Sequence, residues 1–170
     1  MRSILRRGVT RSFILSLALL ATPLIVPATP AHAAWAAPVP LNMQIIGYTP
    51  GGGQLTLGRV QGTLQLDDGG NALRYDVLMC RQSSYQLPYM TIDVNVYYAG
   101  GRRYATRIGS VYPTYGSWSS EQPCYGNRAT VSAELSYAGF SNVEFIVYGS
   151  TFVGQSHTIF TEDAIYYNPY

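Results

Sequence analysis

Apolar and polar residues alternate one for one along most of this chain, and nothing beyond residue 33 repeats at the helical spacing of 3.6. That property limits the fold more than any other. Successive side chains of a strand point to opposite faces, so alternation makes one dry and one wet face. Such strands fold into sheets that bury a single side. The clearest run is Met90, Ile92, Val94 and Val96, interleaved with Thr91, Asp93 and Asn95. Val60, Gly62, Leu64 and Leu66 alternate in the same way, as do Leu73, Tyr75, Val77 and Met79. Between these two runs lies Asp67-Asp68-Gly69-Gly70-Asn71, made of residues that tolerate tight turns, so the pair predicts a β-hairpin.

Further strands are predicted at Met43–Tyr48, Tyr104–Val111, Ala129–Tyr137 and Val143–Phe152, with one or two more at His157–Thr161 and Ala164–Tyr167. The pattern of Tyr104–Val111 is the weakest, which places it at a sheet edge. No segment supplies the crossover helix that a parallel sheet needs. Seven to nine short strands at regular spacing predict an all-β chain. The expected form is an antiparallel β-sandwich of immunoglobulin-like architecture with one disulfide, a small barrel being the alternative. Trp118 stands six residues before the second cysteine, unlike the core tryptophan of true immunoglobulin domains, so the expectation covers architecture and not family membership.

The start of the chain sets the compartment. Arg2, Arg6, Arg7 and Arg11 precede an apolar run from Phe13 to Val26, and Ala31-His32-Ala33 follows with small residues where a signal peptidase reads. This order predicts a secretory signal peptide over 1–33, with cleavage near Ala33 and a secreted product, extracellular or periplasmic. The residues that remain divide into a flexible Ala- and Pro-rich arm at 34–41 and one domain at 42–170. Beyond the leader no apolar run is long enough for a transmembrane helix. Seven arginines then face nine carboxylates, a formal charge of −2, and the chain has no lysine. A weakly acidic surface with scattered arginines offers no footprint for nucleic acid.

Cys80 and Cys124 are the two cysteines, and in an oxidising compartment they are expected to pair. Metal chemistry lacks ligands. Zinc would have two cysteines, one histidine and no close spacing, and the oxygens of Asp67, Asp68 and Asn71 lack the spacing of a calcium loop. No metal or cofactor is therefore expected. For catalysis, Asp67-Asp68 and Glu162-Asp163 are adjacent residues, which point to opposite faces of a strand. His157 is the one histidine left after the leader, and no Gly-x-Ser-x-Gly elbow accompanies it. The expectation is that no catalytic residue is present.

Aromatic content is the unusual feature. All fifteen tyrosines and both tryptophans lie beyond the leader. Tyrosine combines a flat apolar ring with a polar tip, which suits it to interfaces, although it also favours strands for their own sake. The non-periodic segment Tyr112–Asn127 holds Tyr112, Tyr115, Trp118 and Tyr125, the densest aromatic group on any loop. These four are the candidate binding residues, expected to form one flat platform for an extracellular glycan or protein. An enzyme inhibitor that offers this loop to a protease cleft is the alternative. A hydrolase using His157 is the second alternative.

Overall fold

The computed structural model describes residues 34–170. The expected signal peptide, 1–33, lies outside the described residues. Nine strands make up the fold: β1 (Val39–Tyr48), β2 (Gln54–Leu66), β3 (Ala72–Arg81), β4 (Tyr89–Ala99), β5 (Arg102–Val111), β6 (Trp118–Ser119), β7 (Gly126–Ser136), β8 (Asn142–Val153) and β9 (Ser156–Tyr167). Among the described residues there is no helix. The strands form two antiparallel sheets, one ordered β1-β2-β3-β7-β6 and the other β5-β4-β8-β9. The described residues are therefore all-β and antiparallel, with β5 at a sheet edge.

Alternation places the core. Leu41, Met43 and Ile45 of β1, Val60, Leu64 and Leu66 of β2, and Leu73, Tyr75, Val77 and Met79 of β3 meet Met90, Ile92 and Val94 of β4 and Val143, Phe145 and Val147 of β8 in one buried cluster. Each fully buried aliphatic side chain contributes about 1.5–3 kcal/mol by leaving water. Tyr75 and Phe145 cross that core edge to face, with centroids 5.8 Å apart. Gly62 sits in the apolar row of β2 because a Cβ there would overlap the Asp76 carbonyl of β3.

The predicted hairpin forms as β2–β3, with Leu66 opposite Leu73. The buried Asp67 closes its turn by accepting from the amides of Asn71 and Ala72, both at 2.7 Å. That carboxylate oxygen is spent on the backbone, as the turn reading of the pair requires.

Two details differ from expectation, and a third decides between the one or two strands expected at the end of the chain. The boundary of the arm at 34–41 moves, since β1 already begins at Val39 and Leu41 is fully buried. Upstream, Trp35 bridges to Asp67 and the Ala36 amide donates to the Leu66 carbonyl, so this segment is tied to the end of β2. Its Ala and Pro content hid the one large ring that anchors it. The two short runs after His157 are one strand, β9, paired with β8 along its whole length. The Tyr112–Asn127 segment also contains a short strand, β6, on the edge of the first sheet.

Cys80 and Cys124 form a disulfide and both are buried. Cys80 alternates with the core residue Met79 and so points out of the first sheet, away from the core. The bond therefore ties β3 to the loop lying over its own sheet. Gly126 follows at φ 145°, where a side chain would overlap the Arg81 carbonyl, so the loop presses closely onto β3. No helix among the described residues is long and apolar enough to cross a membrane.

Candidate functional site

The four expected platform residues do not share a plane; they occupy three environments. Tyr112, at the end of β5, is 72% exposed and stacks on Tyr89 at 5.1 Å. Tyr89 stacks in turn on Tyr148, at 4.5 Å with rings 1° from parallel. The register explains this, because Tyr89 and Tyr148 are direct partners across β4 and β8, while Val111 opposite Met90 sets Tyr112 beside Tyr89. The result is a three-ring ladder on the outer face of the second sheet. Its middle ring, Tyr89, is covered on both faces, whereas Tyr112 at the end of the stack keeps one face in water.

Tyr115 goes the other way. It packs against the core, and its hydroxyl donates to the Pro88 carbonyl at 2.9 Å. Burial pushes its phenol well above the ordinary tyrosine range. It is an anchor of the loop rather than a contact surface.

Trp118 and Tyr125 remain outside, 66% and 51% exposed. The backbone around Trp118 is fixed. β6 pairs Trp118 with Asn127, the Gly116 amide donates to the Arg128 carbonyl at 2.8 Å, and the Asn127 side-chain amide donates to the Gly116 carbonyl at 3.0 Å. Trp118 has no ring or guanidinium stacked on it among the described residues. Its indole borders a shallow groove with Leu78, Ser117, Ser119, Arg128 and Thr130. The groove thus joins one free aromatic face to hydroxyls and a guanidinium. Arg128 also pairs with Glu121 at 2.8 Å, both partners being well exposed.

A second constellation escaped the sequence reading. On the outer face of the second sheet, Asp93 of β4 stands directly opposite Glu144 of β8, and each carboxylate is only 2% exposed. Like charges in that position repel. Arg103 resolves the conflict by donating to both, at 2.6 Å to Asp93 and in close contact with Glu144. Arg107, the β5 partner of Asp93, adds a bond from Nε at 2.8 Å. Desolvation would raise the Asp93 pKa, but the hydrogen bonds from Arg107 and Arg103 outweigh it and hold the carboxyl below its ordinary value. Two bulges put the arginines within reach, because the β4–β5 register shifts at Ile92/Asp93 and again between Val94 and Tyr97. At the second, Asn95 has φ 53° and accepts from the Ser141 amide at 2.8 Å. The Val96 amide and carbonyl are satisfied by the Asn142 carboxamide at 2.7 and 2.9 Å. The legible clue was a charged residue at the centre of each of two strongly alternating strands.

The remaining candidates are quickly placed. His157 sits at the start of β9 with aromatic neighbours, Phe152 at 5.5 Å and Tyr85 at 5.7 Å. Among the described residues no three His, Cys, Asp or Glu side chains converge as a metal site would require. No protein-family model, no curated protein and no solved structure matches this chain.

Proposed function

We propose that this chain is a secreted, non-catalytic β-sandwich domain of immunoglobulin-like architecture that binds an extracellular ligand, a glycan before a protein, through the loop carrying Trp118. The observation that carries this reading is the indole of Trp118, 66% exposed on a pinned backbone beside hydroxyl and guanidinium donors. The C–H groups of a sugar ring carry partial positive charge and pack on the negative face of an aromatic ring. Neighbouring Ser117, Ser119, Thr130 and Arg128 would bond the sugar hydroxyls. In the tyrosine ladder the middle ring is covered on both sides and Tyr112 on one, so the ladder offers a smaller free face than the indole.

The test is titration of soluble cell-wall oligosaccharides and of a panel of extracellular proteins into a Trp35→Phe background, where Trp118 is the remaining indole fluorophore of the mature chain. Binding by an oligosaccharide should shift its emission, and Trp118→Ala should weaken that binding about tenfold or more, a loss of about 1.4 kcal/mol. Tyr89→Ala should leave it unchanged. Oligosaccharide binding that survives loss of Trp118 would sink the reading.

A protease-inhibitor reading draws on one observation, the bracing of the same loop by Cys124, Tyr115 and Gly116. Inhibition across a protease panel at micromolar protein, lost on Trp118→Ala, would replace the glycan proposal with it.

A further inference from the structure

The first described residue is already held by a carboxylate. The Ala34 backbone nitrogen donates to Asp68 Oδ1 at 3.1 Å, and the Asp68 amide donates back to the Ala34 carbonyl at 2.9 Å. The next residues extend the attachment. Trp35 bridges to Asp67, and the Ala36 amide reaches the Leu66 carbonyl at 2.8 Å. The Ala36 carbonyl accepts from Gln65 Nε2 at 3.0 Å. The Arg74 guanidinium lies 4.4 Å from the centre of the Trp35 ring, while its Nε donates to Gln65 Oε1 at 2.8 Å. This arrangement is built at the one residue whose nitrogen a peptidase reading Ala31 and Ala33 would set free.

We propose that cleavage between Ala33 and Ala34 creates an α-ammonium group that Asp68 captures, so that the β2–β3 turn is the docking site for the processed N-terminus. Hydrolysis of the Ala33–Ala34 bond consumes one water. The hydroxyl stays on the Ala33 carbonyl carbon, giving an acid that ionises. The proton goes to the Ala34 nitrogen, which takes a second from solvent near neutral pH. An amide-to-carboxylate bond at Ala34 thereby becomes a charge-assisted ion pair with no change of backbone path. Among the described residues the charged groups near this nitrogen are those of the β2–β3 hairpin. Asp68 is the acceptor, and the neighbouring Asp67 has one oxygen committed to Asn71 and Ala72. Arg74 lies over the Trp35 ring and acts equally in any Asp68 variant. The proposal rests on reading residues 1–33 as an export signal, and it reaches beyond any ligand the domain binds.

The experiment uses protein recovered from the medium of cells expressing the full chain. Intact mass and N-terminal sequencing identify the first residue, and the pH titration of the Ala34 methyl carbon by NMR reports its α-amine. Expected are a chain beginning at Ala34 and an amine pKa that falls by about 0.15–0.7 units on Asp68→Asn, the span of an exposed ion pair. Asp68 is itself exposed, so the variant keeps its fold. A retained leader or a first residue other than Ala34 would overturn the cleavage step. A chain beginning at Ala34 whose amine titrates alike in both proteins would overturn the capture by Asp68. Neither result depends on whether Trp118 binds sugar.

Discussion

Both sheets bury rows of aliphatic side chains inward, yet their outer faces are stabilised by different chemistry. The first sheet carries partly exposed side-chain bonds, Gln44 to Thr56, Arg74 to Gln65 and the exposed pair Arg128–Glu121, and over β3 it is covered by a loop joined through Cys80–Cys124. The second carries two buried carboxylates, two arginines that remain partly in water and a ladder of three tyrosines. A covalent bond holds a loop regardless of pH and fails on reduction. An ion cluster ignores reductant and fails when its carboxylates take protons. The comparison also divides the aromatic residues. On the first face the loop, fixed by the β6–β7 pairing and the Gly116 bonds, keeps Trp118 out with a free surface, whereas on the second the middle ring of the ladder is covered on both faces. Rigidity of the loop and availability of the indole are therefore two results of one arrangement.

The largest effect should come from removing the disulfide. Cys80 and Cys124 are 44 residues apart, and releasing a loop of that length costs about 4 kcal/mol on the chain-entropy account. Urea denaturation of a Cys80→Ala/Cys124→Ala protein should show that loss. Trp118 emission should become that of a mobile residue, while the tyrosine ladder keeps its near-ultraviolet dichroism in the folded state. Loss of the ladder signal together with the Trp118 signal would show that the two faces are not separate.

The second face should break with acid. Asp93 has a folded pKa below its unfolded value of about 3.9. The unfolded chain then binds more protons between the two values, so stability is present above about pH 4 and is lost as pH falls through the lower, folded value. Asp93→Asn removes that dependence and leaves Arg103 and Arg107 with one charged partner between them. At pH 7 the variant should lose about 2 kcal/mol, less than the full cost of breaking a buried pair because both guanidinium groups can turn to water. Denaturation midpoints from pH 7 to pH 3 check both statements. An unchanged acid limb would assign acid sensitivity to another carboxylate.

Much of this contrast could not be read from the sequence. Alternation located the strands, the β2–β3 hairpin and the edge position of β5, because each depends on neighbours in the chain. The cysteine pair was legible from the expected compartment and from the count. Which face each residue joined was not. Tyr112, Tyr115, Trp118 and Tyr125 are close in sequence, but the chain passes from the second sheet to the first between Tyr112 and Trp118 and so divides them. Asp93 and Glu144 lie 51 positions apart and meet only through the β4–β8 register. Trp35 looked like part of a featureless arm because its partners, Asp67 and Arg74, belong to another element. Pairings of this kind are set by topology, which local pattern does not encode.

The smallest effect tests whether the tyrosine ladder is a structural part of the second face. Tyr89 is its middle ring and touches both others. Aromatic pairs add about 0.5–1.5 kcal/mol beyond their buried area, and here Tyr112 is largely in water, so Tyr89→Leu should cost about 1 kcal/mol. Its pH signature is opposite to that of Asp93. Burial first, then the nearby Tyr148 and Tyr112 oxygens, raise the Tyr89 phenol, while Arg107 acts weakly the other way. A raised folded pKa gives stability that is complete below the unfolded value of about 10 and is lost as pH rises toward the folded one. Tyr89→Leu should therefore flatten the alkaline limb in part, since Tyr75, Tyr115 and Tyr166 are also raised by burial and remain. The acid limb, which belongs to Asp93, should keep its shape. If Tyr89→Leu flattened the acid limb as well, the ladder would be holding the arginines in place, and the second face would be one cooperative unit rather than an ion cluster beside a stack of rings.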